Sequence, residues 1–114
     1  MTVEWKFTKM ARDHAERGGF APEVMLGSIP SFLSADDPAD AVTQIDRAYD
    51  QFGGWRDSAK WRIDYVNGRA HYPGDPPRVL IAEARLRDEL ILFFNGAYIA
   101  VMQPDGSHRM ARID

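Results

Sequence analysis

Three glycine turn signals in the second half of the chain, Asn67-Gly68, Asn95-Gly96 and Pro104-Asp105-Gly106, restrict its possible folds more than any other feature. Each sits between apolar or alternating runs, the pattern of antiparallel strands joined by tight turns. Leu90 to Phe94, Ala97 to Met102 and Ser107 to Ile113 read as a three-strand meander. Asn95-Gly96 would make its first turn. Pro104-Asp105-Gly106 suits a type I turn with glycine in the left-handed position.

Upstream, Trp61, Ile63 and Tyr65 alternate with Arg62, Asp64 and Val66 ahead of Asn67-Gly68. That dipeptide is preferred in two-residue type I′ hairpins, and the register it implies sets Tyr65 opposite Ala70, Ile63 opposite Tyr72, and Asp64 opposite His71. Between hairpin and meander, Leu80, Ala82, Ala84 and Leu86 alternate through residues 79–87. The Ala, Glu, Leu and Arg content there also suits a helix. A strand is the expectation.

The first half reads as helical. Val3, Phe7, Met10, Ala11 and His14 recur at helical spacing, with Thr2 as N-cap and Gly18-Gly19 as the stop, while a strand over Val3 to Phe7 competes. A second helix opens with Asp37 as cap and Pro38 at its first position. Ala41, Ile45, Ala48, Tyr49 and Phe52 form its apolar stripe, and Gly53-Gly54 ends it. Residues 20–34, broken by Pro22, Gly27 and Pro30, carry too many apolar side chains for a solvated linker and should pack over the core. The expected fold is therefore α+β: an antiparallel β-sheet, made of a hairpin plus a C-terminal three-strand meander, packed against two helices. At 114 residues there is room for one core, so a single domain over 1–114 is expected.

Composition narrows function chiefly by exclusion. With no cysteine there is no disulfide framework and no thiolate chemistry, which leans toward the cytoplasm. The charged N-terminal segment does not read as a signal peptide, and no apolar run is long enough to cross a membrane. A net charge of -3 disfavours nonspecific nucleic-acid binding. Trp55-Arg56, Trp61-Arg62, Arg69 and Tyr72 do interleave aromatic and basic residues. The hairpin alternation, however, puts Trp61 and Tyr72 on the opposite face from Arg62 and Arg69.

Few residues invite chemistry. His14 has no second histidine one turn away, Asp36, Asp37 and Asp40 fit helix capping, and the glycine pairs follow helices instead of opening phosphate loops. No metal or cofactor is expected, and no catalytic residue is assigned. Asp64 opposite His71 is the one polar pair that could orient an imidazole for acid–base work, so a small Asp–His enzyme is the alternative. A single-strand nucleic-acid binder is a third reading.

Counting outward from the turns puts Ile91, Phe93, Tyr98, Ala100, Met102 and Met110 on one side of the meander and Leu90, Leu92, Phe94, Ile99 and Val101 on the other. Two apolar faces on one antiparallel sheet call for two covers, or for a partner on one of them or on the sheet edge. The favoured reading is a non-catalytic interaction protein, binding another protein or a second copy of itself. Its interaction face would comprise Phe93, Tyr98 and Met102, rimmed by His108 and Arg112.

His71-Tyr72-Pro73-Gly74-Asp75-Pro76-Pro77, Leu86-Arg87-Asp88-Glu89, Gln103-Pro104-Asp105-Gly106 and Ala111-Arg112-Ile113-Asp114 resemble segments of small uncharacterised accessory proteins of bacteriophages and bacterial mobile elements. The likeness covers the C-terminal third to half of the chain. It carries no catalytic residues, and it implies an accessory protein that binds and inhibits a host component, such as a defence factor.

Overall fold

The computed structural model describes residues 4–27, 43–47, 50–51 and 58–112. Its centre is an antiparallel sheet whose spatial order follows the chain: β2 (Arg62–Asp64), β3 (Arg69–His71), β4 (Arg78–Leu86), β5 (Glu89–Phe94), β6 (Tyr98–Met102) and β7 (His108–Arg112). A two-residue strand, β1 (Lys6–Phe7), pairs with β4. Helix α1 (Lys9–Gly18), a 3-10 turn η1 (Pro22–Leu26) and helical residues 43–47 complete the α+β fold. The Asp37-Pro38 start, the Gly53-Gly54 stop and the acidic group Asp36, Asp37 and Asp40 lie outside the described residues.

The first helix starts later than its periodicity predicts. Thr8 is the N-cap, accepting from Ala11 N at 3.2 Å, while Lys6 and Phe7 pair with Glu83 and Ala82 of β4. The competing strand reading thus holds at Lys6–Phe7, because pairing with β4 outweighs local helical spacing. Gly19 closes α1 in the left-handed conformation at φ 70, and the Lys9–Asp13 pair forms at 3.0 Å. The strand reading of residues 79–87 holds as far as Leu86, within Arg78–Leu86, with Ala82, Ala84 and Leu86 buried, while Arg87 opens the turn to β5 at φ 57.

Two turns depart from the predicted register. After β5, Asn95, Gly96 and Ala97 form a three-residue turn in which Gly96 and Ala97 have φ 84 and 65, so Phe94 pairs with Tyr98. The cause is Asn95, which extends the β4–β5 ladder instead of making the turn's centre. Its N–H donates to Val79 O at 3.0 Å, and its Oδ1 accepts from Val79 N at 2.8 Å. A slip of one residue turns every β5 side chain to the other side of β6. Phe93 therefore shares a side with Ile99 and Val101, opposite to Tyr98 and Met102.

The hairpin of β2 and β3 slips by two. Its loop is the four residues Tyr65 to Gly68, closed by Gly68 N to Tyr65 O at 3.1 Å, with Gly68 at φ 65. Asp64 stabilises this loop by accepting from Asn67 N and Nδ2 at 3.3 and 2.8 Å. Ile63 then faces Ala70, Asp64 faces Arg69 and Arg62 faces His71. An even slip leaves the faces as they were.

Both sides of the sheet have a core. On the outer side Ala82, Ala84, Leu86, Ile91, Phe93, Ile99 and Val101 pack with Leu26 of η1 and with Ile45. On the inner side Leu80, Leu92, Phe94, Ala100 and Met110 pack with Trp61 and Ala70 of the first hairpin. The sheet curls to achieve this, since Trp61, next to β2, has its ring 4.9 Å from that of Tyr98 on β6. Ser58 completes the turn by accepting from Met110 N of β7 at 2.5 Å, while its carbonyl meets His108 Nε2 at 3.3 Å. Ser58→Ala should lower stability by about 1–3 kcal/mol, the cost of a shielded N–H without its acceptor. A urea midpoint that does not move would show this contact to be incidental.

Candidate interaction surface

The curl decides where the predicted residues lie. Phe93 is 3% exposed and belongs to the outer core, so it cannot share a contact face with Tyr98 and Met102. Tyr98, Met102, His108 and Arg112 do share the inner side, as cross-strand pairing of Tyr98 with Arg112 and of Met102 with His108 requires. Tyr98 and Met102 pack against the inner core. The second apolar face is thus covered by the chain's own first hairpin.

Asp64 and His71 are not cross-strand partners. Asp64 gives its carboxylate to Asn67, and those hydrogen bonds hold its pKa below the ordinary aspartate value. His14 is exposed, with its ring edge-on to Phe20 at 5.8 Å, and not on a buried edge of α1. Among the described residues no three His, Asp or Glu side chains are grouped to hold a metal ion. Trp61 and Tyr72 both face the inner core, while Arg62 and Arg69 point away from it, so stacking and basic groups are segregated.

Two polar constellations escape a reading of the sequence. Arg109 bridges Asp46 at 2.8 Å and Glu89 at 3.1 Å, and Gln103 donates to Glu89 at 2.8 Å. Burial outweighs the arginine and raises the Asp46 pKa above the ordinary aspartate value. This network ties the helical residues around Asp46 to the sheet and has a structural role.

The other lies where β4 changes neighbour. Its register shifts between Leu80 and Ala82, with β3 alongside Arg78 and Val79 and β1 alongside Ala82 and Glu83. The backbone at the changeover is satisfied from both sides: Leu80 N donates to Gly68 O at 2.8 Å, and Ile81 O accepts from Thr8 N at 2.9 Å. Leu80 O accepts from the Thr8 hydroxyl at 3.2 Å. Between the two neighbours is a notch of about 400 Å³, lined by Thr8, Tyr65, Val66, Asn67, Gly68, Leu80 and Glu83. Tyr65 donates its hydroxyl to Glu83 Oε2 at 2.5 Å, which pins the hairpin tip to β4 and raises the phenol's pKa. Val66, beside it, is 92% exposed.

These features define a small α+β domain with a curled antiparallel sheet, and no helix among its described residues is long and apolar enough to cross a membrane. No family model, curated protein or solved structure matches the chain.

Proposed function

We propose that the chain is a non-catalytic protein-interaction domain and that a partner protein docks on the notch through Tyr65 and Val66. The observation that carries this reading is the exposure of Val66 at the tip of a loop whose own needs are met elsewhere. Asp64, Asn67 and Gly68 supply the turn chemistry, so the fold does not require an apolar residue at 66. Tyr65 beside it offers a large amphipathic ring held in place by Glu83, and tyrosine anchors at pockets are typical of binding hot spots. The occupant that fits is a protein segment with an apolar side chain for the notch and a basic one for the Glu83 carboxylate.

The C-terminal likeness to accessory proteins of bacteriophages and mobile elements supports a finer version. In it the partner is a host component, a defence factor for example, which the domain binds and inhibits in the cytoplasm. Asp64 and His71 offer no comparable support for an enzyme, since the carboxylate serves the loop.

A Tyr65→Ser/Val66→Asp double variant tests the reading. Its stability should fall by about 1–2 kcal/mol, since both positions are exposed but the Tyr65–Glu83 hydrogen bond is lost. Its affinity for a partner captured from bacterial lysate by the parent should fall about 100-fold or more. Equal affinity of variant and parent overturns the notch as the docking site. A parent that is dimeric by native mass, with a monomeric variant, makes the occupant a second copy of the chain.

A further inference from the structure

We propose that Asn67, at the tip of the first hairpin, is a site of spontaneous deamidation that alters the docking loop, while the fold shuts the same reaction at Asn95. Both asparagines of the chain precede a glycine, so they share one intrinsic chemistry and differ in surroundings alone. Asparagine is a thermolabile residue, and a following glycine presents no Cβ to obstruct attack by its nitrogen. The Gly68 backbone nitrogen attacks Cγ of Asn67, and a nitrogen–carbon bond forms. The Cγ–Nδ2 bond breaks, and ammonia leaves with the proton of the Gly68 nitrogen. Water then opens the succinimide at either carbonyl, giving aspartate or isoaspartate at position 67.

Asn95 is held by the main chain of another strand. Its N–H donates to Val79 O at 3.0 Å and its Oδ1 accepts from Val79 N at 2.8 Å, at the end of the central β4–β5 ladder. Gly96 is crowded as well, since a Cβ built there would lie 2.9 Å from Arg78 Nη1 and 3.4 Å from the Tyr98 ring. The peptide that must turn toward Cγ has little room. Asn67 is exposed, and its N–H and Nδ2 donate to Asp64 within the same loop, at 3.3 and 2.8 Å. Both bonds end on a carboxylate that water also reaches. Gly68 N donates to Tyr65 O at 3.1 Å, so the reaction waits for the tip to open. Leu80 N anchors Gly68 by its carbonyl, on the far side from the reacting nitrogen. A Cβ built on Gly68 would meet Leu80 Cβ at 3.5 Å, an ordinary contact that leaves the peptide space to turn. The hairpin pairs over three residues a strand at the edge of the sheet, and such elements open locally far more often than a central ladder.

The product matters because of where it forms. A carboxylate at position 67 takes away the donor that Asp64 holds and sets a second negative charge beside it. The turn that presents Tyr65 and Val66 loosens. On the docking reading above, on which this consequence rests, deamidation is a slow and irreversible loss of partner binding.

The test incubates folded protein at neutral pH and body temperature beside a sample in urea. Peptide mapping follows aspartate and isoaspartate at positions 67 and 95, with no partner needed, so the reaction can fail apart from the docking reading. Relative to urea, the fold should slow Asn95 by about tenfold or more beyond any slowing of Asn67. Asp64→Ala should speed the reaction at Asn67 by about threefold or more and leave Asn95 unchanged. Equal slowing at the two sites, greater slowing at Asn67, or an unchanged Asn67 rate in folded Asp64→Ala overturns the site. The wild-type comparison decides the matter even if Asp64→Ala is unfolded. In Asn67→Asp the Gly68 amide should exchange with solvent about tenfold faster than in the parent, and equal exchange overturns the loosening.

Discussion

Replacing Phe93 by alanine should lower the free energy of unfolding by about 3–5 kcal/mol. The side chain is 3% exposed and packs among the outer-core residues, so its removal strips contacts from both the sheet and its cover. For a domain of this size the loss would be a large share of a total of about 5–15 kcal/mol. Urea denaturation of Phe93→Ala beside the parent checks it. A change below about 1 kcal/mol would put the ring in solvent, as on a free contact face, and would reject the one-residue slip at Asn95.

Trp61→Ala should cost a comparable 3–5 kcal/mol for a different reason. Trp61 is 6% exposed and joins the first hairpin to the inner side of the meander, through Tyr72 and Tyr98. Without it the hairpin loses its main apolar contact with β6, and the inner core opens at one end. The near-ultraviolet signal of the aromatic group should weaken together with stability. Retention of full stability would mean that strand pairing alone holds the curl.

The legible parts of the fold are those decided by neighbours in the chain. Pro104-Asp105-Gly106 forms the turn its residues demand, with Gly106 at φ 88, Gly106 N on Gln103 O at 3.0 Å, and Asp105 accepting from Ser107. The alternation of Trp61 and Ile63 gives the correct face even though the hairpin pairs two residues away from prediction. Asn95-Gly96 misleads because the partner of Asn95 is Val79, sixteen residues upstream. That distant ladder overrides the dipeptide's own preference and carries Phe93 to the other side.

The start of α1 fails for a similar reason. Phe7 fits a helical face, but its partner Ala82 is on β4, and Met10, placed on the same stripe, is 53% exposed. The notch is the least legible feature of all. It depends on a register shift at Ile81, on β1 and β3 sharing one strand edge, and on a Tyr65–Glu83 contact across eighteen residues. Only the exposed Val66 could have been suspected, as an apolar residue next to a strong turn signal.

Ser58 carries a consequence beyond its single hydrogen bond. An open sheet ends in strands whose outward N–H and C=O groups can template another chain, the first step of edge-to-edge aggregation. In β7 those outward groups belong to alternate residues, Met110 among them, and the Met110 N–H is already taken by the Ser58 hydroxyl. The curl thus brings the chain's own upstream segment to where a foreign strand would add. The contact closes this edge, so a lesion at Ser58 or Trp61 exposes an adhesive edge as well as weakening the fold.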